Sequence, residues 1–76
     1  MHDKIKALIA QALGIEIEDV DETSLLREDL GLEAPDLAEI LLAIKQEYKT
    51  LLGPEDIEDT RTVADLIESV ENSLEQ

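Results

Sequence analysis

Glu28-Asp29-Leu30-Gly31-Leu32-Glu33-Ala34-Pro35-Asp36-Leu37 is a turn that feeds straight into a helix, and its reading decides the fold. Pro35 is favoured at a first helical position, where its missing N–H would have had no intrahelical partner. Downstream, Leu37, Ile40, Leu41, Ile44 and Tyr48 recur at helical spacing and form one apolar stripe. The second helix therefore starts at Pro35, and Gly53-Pro54 stops it. Ala34 would be its N-cap, where Ser, Thr, Asp or Asn is preferred and Ala costs about 1 kcal/mol. Backbone N–H groups and the positive end of the helix dipole gather there, so a phosphate attached at this point would be well placed. Taken alone, the stretch reads as a weak cap beside a proline.

Working outward, residues 14–35 break the helical pattern, and with Asp36 they carry nine of the twenty acids. A loop of this length is unusual in a small domain. Its recurring apolar residues, Ile15, Ile17, Val20, Leu25, Leu26, Leu30 and Leu32, predict that it is packed down and ordered, with a helical turn near Leu25 to Asp29. Upstream, Ile5, Leu8, Ile9, Ala12 and Leu13 make a first helix over about residues 3–13, with Asp3 as a cap and Gly14 at its C′ position. Downstream, Pro54 opens a short acidic helix to about Asp59, with Glu55 and Asp56 near its positive end. Thr62 and Asp65 form a capping-box-like pair before the stripe Val63, Leu66, Ile67, Val70 and Leu74. The expected fold is all-α: one domain over residues 1–76, a small four-helix bundle of three main helices and one short one, with a long ordered loop after the first.

Composition narrows the function. The 76 residues make a single core, built from aliphatic side chains because Tyr48 is the only aromatic. Six Lys+Arg against twenty Asp+Glu give a formal charge of −14, which excludes nucleic acid as an expected partner. No apolar run reaches the ~18 residues of a membrane span, and no signal-peptide segment opens the chain. The expectation is a cytoplasmic monomer without membrane insertion. Cys is absent and His2 is the only His, so neither a disulfide nor a Cys-based zinc site is available.

Enzyme constellations are nearly absent, and no catalytic residue is assigned. His2 sits at the terminus, where a Ser-His-Asp arrangement is hard to build. Pairs such as Glu18-Asp19 and Asp56-Glu58 read as solvated surface in so acidic a chain. Asp19, Asp21 and Thr23 could take positions 1, 3 and 5 of a calcium loop, but Ser24 then replaces the required Gly and Leu30 the bidentate Glu. No metal site is expected beyond loose screening among Glu16, Glu18, Asp19, Asp21 and Glu22.

The junction resembles the motif of acyl carrier proteins, small helical proteins that bear a phosphopantetheine arm. Their Asp-Leu-Gly, one intervening residue, then Asp-Ser-Leu is similar to Asp29-Leu30-Gly31-Leu32-Glu33-Ala34-Pro35. The likeness spans essentially the full length, without a gap from Gly31 to Val70. It includes Leu13-Gly14 closing the first helix, Glu39 on the second, Tyr48 ending it, and Thr62-Val63 opening the last.

The resemblance implies 4′-phosphopantetheine as the family's cofactor, but Ala34 stands where the family has the serine that carries it. A methyl group has no nucleophilic oxygen, so no arm is expected on this sequence, and a phosphopantetheinyl transferase is a partner only if position 34 is Ser. Ser24, Ser69 and Ser73 stand outside the motif, the first as a loop or cap residue and the others as exposed residues of the last helix. Two explanations fit: a serine deliberately replaced to hold the unmodified state, towards which the intact acidic face leans, or a natural paralogue without the arm. The resemblance also implies that Glu33, Asp36, Glu39 and Glu47 bind basic patches on acyl-metabolism enzymes, with Lys45 and Lys49 narrowing the set. Ile40, Ile44, Leu52, Ile57 and Leu66 map to the family's acyl pocket, although each is ordinary core on its own terms. The implied function is a carrier scaffold for fatty acid or related acyl metabolism. The alternative is a non-carrier module that docks or regulates a partner enzyme through the same acidic face. Neither is an enzyme.

Overall fold

The computed structural model describes residues 2–50, 52–57 and 59–74. Three α-helices, α1 (His2–Leu13), α2 (Ala34–Tyr48) and α3 (Val63–Leu74), are joined by a long loop with a 3-10 turn at Ile17–Asp19 and a connection with a second at Pro54–Ile57. No strand occurs among the described residues, and the all-α bundle is the expected one. The shorter 3-10 form replaces the acidic helix expected to reach Asp59; Glu58, in the Asp56-Glu58 pair, lies outside the described residues.

The apolar stripes bury as their periods require. Ile5 and Ile9 of α1, Ile40, Leu41 and Ile44 of α2, and Val63, Leu66, Ile67 and Val70 of α3 form one cluster with Val20, Leu26, Leu32, Leu52 and Ile57. Three expected stripe or loop anchors stay 38% exposed: Ile15, Ile17 and Leu74. Leu74 lies on the last turn of α3, past the core, and Ile17 is carried on the 3-10 turn, whose tighter winding no apolar period announces.

Helix ends follow backbone chemistry. Gly14 at φ +70° closes α1, with Ile15 N–H donating to Ala10 C=O at 3.0 Å, the Schellman arrangement that a left-handed residue permits. Asp3 lies inside the first turn rather than at the cap, because the helix already includes His2. α2 ends at Tyr48, before Gly53-Pro54, because Lys49 takes the left-handed conformation (φ 55°, ψ 39°) and its N–H donates to Lys45 C=O at 2.8 Å.

At α3 the expected pair forms. Asp65 N–H donates to Thr62 Oγ1, and Thr62 N–H and Arg61 N–H both donate to Asp65 Oδ2, each at 3.2 Å. The N–H groups of Thr62 and then Arg61 hold the Asp65 carboxyl below its ordinary value of 3.8. The long loop supplies further acceptors. Val63 N–H donates to Ser24 C=O (3.1 Å) and Ala64 N–H to Glu22 C=O (2.9 Å), partnering donors that a helix start leaves free. Leu26 N–H returns a bond to Arg61 C=O at 2.8 Å, and Leu25 and Thr62 form an isolated antiparallel bridge. The loop is thus pinned to α3, and its burial of Val20, Leu26 and Leu32 follows.

Candidate functional site

The start of α2 is set by three consecutive devices. Residues 25–31 wind into one helical turn, with Asp29 N–H and Leu30 N–H donating to Leu25 C=O at 3.0 Å and Gly31 N–H to Arg27 C=O at 3.1 Å. Asp29 Oδ2 in turn accepts Leu25 N–H at 2.8 Å. Gly31 at φ +69° then reverses the chain, a conformation that L side chains seldom adopt, and Leu32 anchors it in the core. Glu33 follows in extended geometry (φ −113°, ψ 172°) and its N–H donates to Asp36 Oδ2 at 3.1 Å.

Glu33, not Ala34, is therefore the N-cap, and the helix starts one residue earlier than expected. Asp36 reaches back to the cap, so Ala34 occupies the first helical position, where a methyl group is favourable and the capping penalty does not apply. Pro35 comes second, still within the turn whose N–H groups have no intrahelical partner. Ala34 and Pro35 are both exposed. From Leu25 to Lys49 the sequence has neither Ser nor Thr, so no aliphatic hydroxyl stands at this helix start.

The four acids expected to meet a partner are spread along α2 and differ in engagement. Glu33 and Glu39 are exposed, while half-buried Asp36 accepts the cap hydrogen bond. Glu47, towards the other end, forms an ion pair with Lys4 of α1 at 3.2 Å. Leu42 is 56% exposed one turn beyond Glu39. Ile40, Ile44, Leu52, Ile57 and Leu66 are all buried in the single core cluster, none more than 7% exposed.

Elsewhere, Glu22 in the loop lies 3.2 Å from His2 and 3.5 Å from Lys6. Among the described residues no group of three or more His, Asp or Glu could hold a metal ion. Ser24 is a loop residue whose Oγ accepts Asp21 N–H at 3.2 Å. Ser73 and Ser69 are half-buried rather than exposed, and the Ser73 hydroxyl is hydrogen-bonded to that of buried Thr50.

Sequence reasoning missed one feature. The chain's only two arginines, Arg27 and Arg61, line the same cleft beside Leu37 of α2, brought together by the main-chain bridge between residues 24–26 and 61–63. Their separation in sequence gives no local signal.

The family model described as "phosphopantetheine attachment site" matches residues 3–70, which takes in the long loop and the starts of α2 and α3 described above.

Proposed function

The chain belongs to the phosphopantetheine attachment-site family, whose domains are carriers and not catalysts, and from that premise we propose a carrier scaffold for fatty acid or related acyl metabolism whose arm position is closed. The carrying observation is Ala34 at the first residue of α2, in a stretch without Ser or Thr. The family's cofactor is 4′-phosphopantetheine, and the residues present do not fit its covalent attachment, since no Ser or Thr hydroxyl is available at this helix start. What is left to the chain is docking. Exposed Glu33 and Glu39 together with Asp36 form an acidic approach for a basic enzyme surface, and exposed Leu42 adds an apolar contact beside it. Glu47 contributes less, because Lys4 already offsets its charge. Ile40, Ile44, Leu52, Ile57 and Leu66 are proposed as the walls of an acyl pocket when a partner or chain opens them. No described helix is long and apolar enough to cross a membrane, and a cytoplasmic monomer is the setting proposed.

The test is incubation with a phosphopantetheinyl transferase, coenzyme A and magnesium, followed by intact mass measurement. This sequence stays unmodified, and the Ala34→Ser variant gains the arm. An arm on the chain as it stands would overturn the proposal.

A second reading is a module that never used an arm and regulates a partner through the same face. It is favoured by the whole motif, since Glu33, Ala34 and Pro35 each differ from the family's Asp-Ser-Leu. Continued resistance of Ala34→Ser to the transferase would select it.

A further inference from the structure

Two of the chain's three serines, Ser69 and Ser73, and its only asparagine, Asn72, stand three or four residues apart on α3 and so share one face of that helix. The face is uncharged, on a chain in which 34% of the residues are charged. It lies against the exit of α2. Lys49 leaves that helix in left-handed geometry, and Thr50, the next residue, is the one polar side chain buried among the described residues, at 6% exposed. Its hydroxyl is hydrogen-bonded to that of Ser73, which ties the exit of α2 to the last turns of α3. A groove of about 480 Å³ opens there, within the size range of small-molecule sites and at the opposite end of α2 from Ala34.

We propose that this groove binds a neutral polyhydroxylated molecule of mono- or disaccharide size. Charge selects first. Lys49 and Asp56 share the lining, one of each sign, so the groove is balanced on a molecule of formal charge −14. Among the described residues no carboxylate lies within 4.0 Å of the Lys49 ammonium. An anion meets the repulsion of the whole molecule, and a cation finds a denser set of acids elsewhere, since residues 16–22 alone carry five. A neutral ligand is held by hydrogen bonds, and both kinds of partner are at hand. Asn72 offers a carbonyl and two N–H donors, Ser69 a hydroxyl and Lys49 its ammonium. Asp56 Oδ2 accepts Gly53 N–H at 2.8 Å, which leaves its second oxygen as an acceptor. The Thr50–Ser73 pair adds a donor. One bond between two hydroxyls uses one proton, and an acceptor for the other is left to whatever fills the groove. Leu74, 38% exposed, gives the C–H face of a sugar ring an apolar contact in the same lining.

The test is titration of the isotopically labelled protein, followed by amide chemical shifts, with glucose, maltose, cyclohexanol and acetate. Glucose, maltose or both should give saturable shifts centred on Lys49, Thr50 and residues 69–73, and the tighter of the two identifies the ligand size. Sugars stabilise folded proteins generally by exclusion from their surface, so the shifts and not the melting temperature report binding. Asn72→Ala and Ser69→Ala should each lose about threefold in affinity, and the double variant about tenfold. Alanine suits a helix interior, so melting temperatures in sugar-free buffer should hold or rise, which separates lost binding from lost folding. Cyclohexanol or acetate binding as tightly as the better sugar would overturn the proposal. So would undiminished binding in the double variant, or sugar shifts that never saturate and spread over the whole surface. No partner enzyme or arm enters the measurement, so its failure would leave the carrier assignment untouched.

Discussion

Lys49 adopts φ 55° and ψ 39°, a left-handed conformation that costs a residue with a side chain roughly 1–2 kcal/mol relative to right-handed geometry. Lys49→Gly should remove most of that strain and lose a favourable cation at the α2 C-terminus, leaving a net gain of up to about 1 kcal/mol. A melting temperature that falls in this variant would show that the lysine charge outweighs the backbone. At the other end of the molecule, Thr62→Ala should cost about 1 kcal/mol, because the hydroxyl accepts Asp65 N–H at the start of α3. Asp65 is the complementary case, and its sign follows from a lowered carboxyl. The stability it contributes is complete above the ordinary value of 3.8 and is lost as pH falls through its lower folded value. The gap in melting temperature between the wild type and Asp65→Ala should therefore be full near neutrality and close only in acid. A gap independent of pH would mean that Asp65 acts without its charge. The Thr62–Asp65 pair was legible in sequence because both partners are three residues apart. Lys49 was not, since nothing in a lysine's own propensity marks it for left-handed geometry.

Among the elements, one device recurs. Asp36, Asp56 and Asp65 each accept, through Oδ2, the N–H three residues before them, and Asp29 accepts one four residues before. Part of the acidity that reads as a docking face is therefore helix-start chemistry, and Asp36 belongs to both. Glu39 has no such duty. Reversing Glu39 to Lys should weaken binding to a basic partner enzyme while changing stability by under about 0.5 kcal/mol. Binding that survives this change at low salt would remove the acidic-face mechanism. The helices themselves were legible because their apolar residues keep a 3.6-residue period, and the burial of Ile9, Ile44 and Leu66 follows it. The start of α2 was misplaced by one residue because Pro35 tolerates the second helical position as well as the first. The arginine cleft was beyond sequence reasoning altogether, since it depends on a pairing between residues 24–26 and 61–63 that no local pattern encodes.

For the whole molecule, charge and size set the margin. A formal −14 is confined to a body of 30 × 21 × 21 Å, so repulsion that the unfolded chain can relax is concentrated in the folded one. Adding ~0.15 M salt, which shortens the Debye length to ~8 Å, should raise the melting temperature. Magnesium should act by the same screening, with no discrete site needed to explain it. A flat response would mean that caps and pairs such as Lys4–Glu47 already offset the repulsion. The bridge between the long loop and α3 has a consequence for how the molecule breathes. Leu26 N–H depends on a carbonyl beside α3, while Val63 and Ala64 N–H depend on carbonyls of the loop. These three amides should surrender their protons to deuterated solvent in a single opening event, with one shared free energy, although Leu26 stands far from the other two in the chain. The loop after α1 and the first turn of α3 would then be one cooperative unit, and the cleft between them would exist only while that unit stays closed.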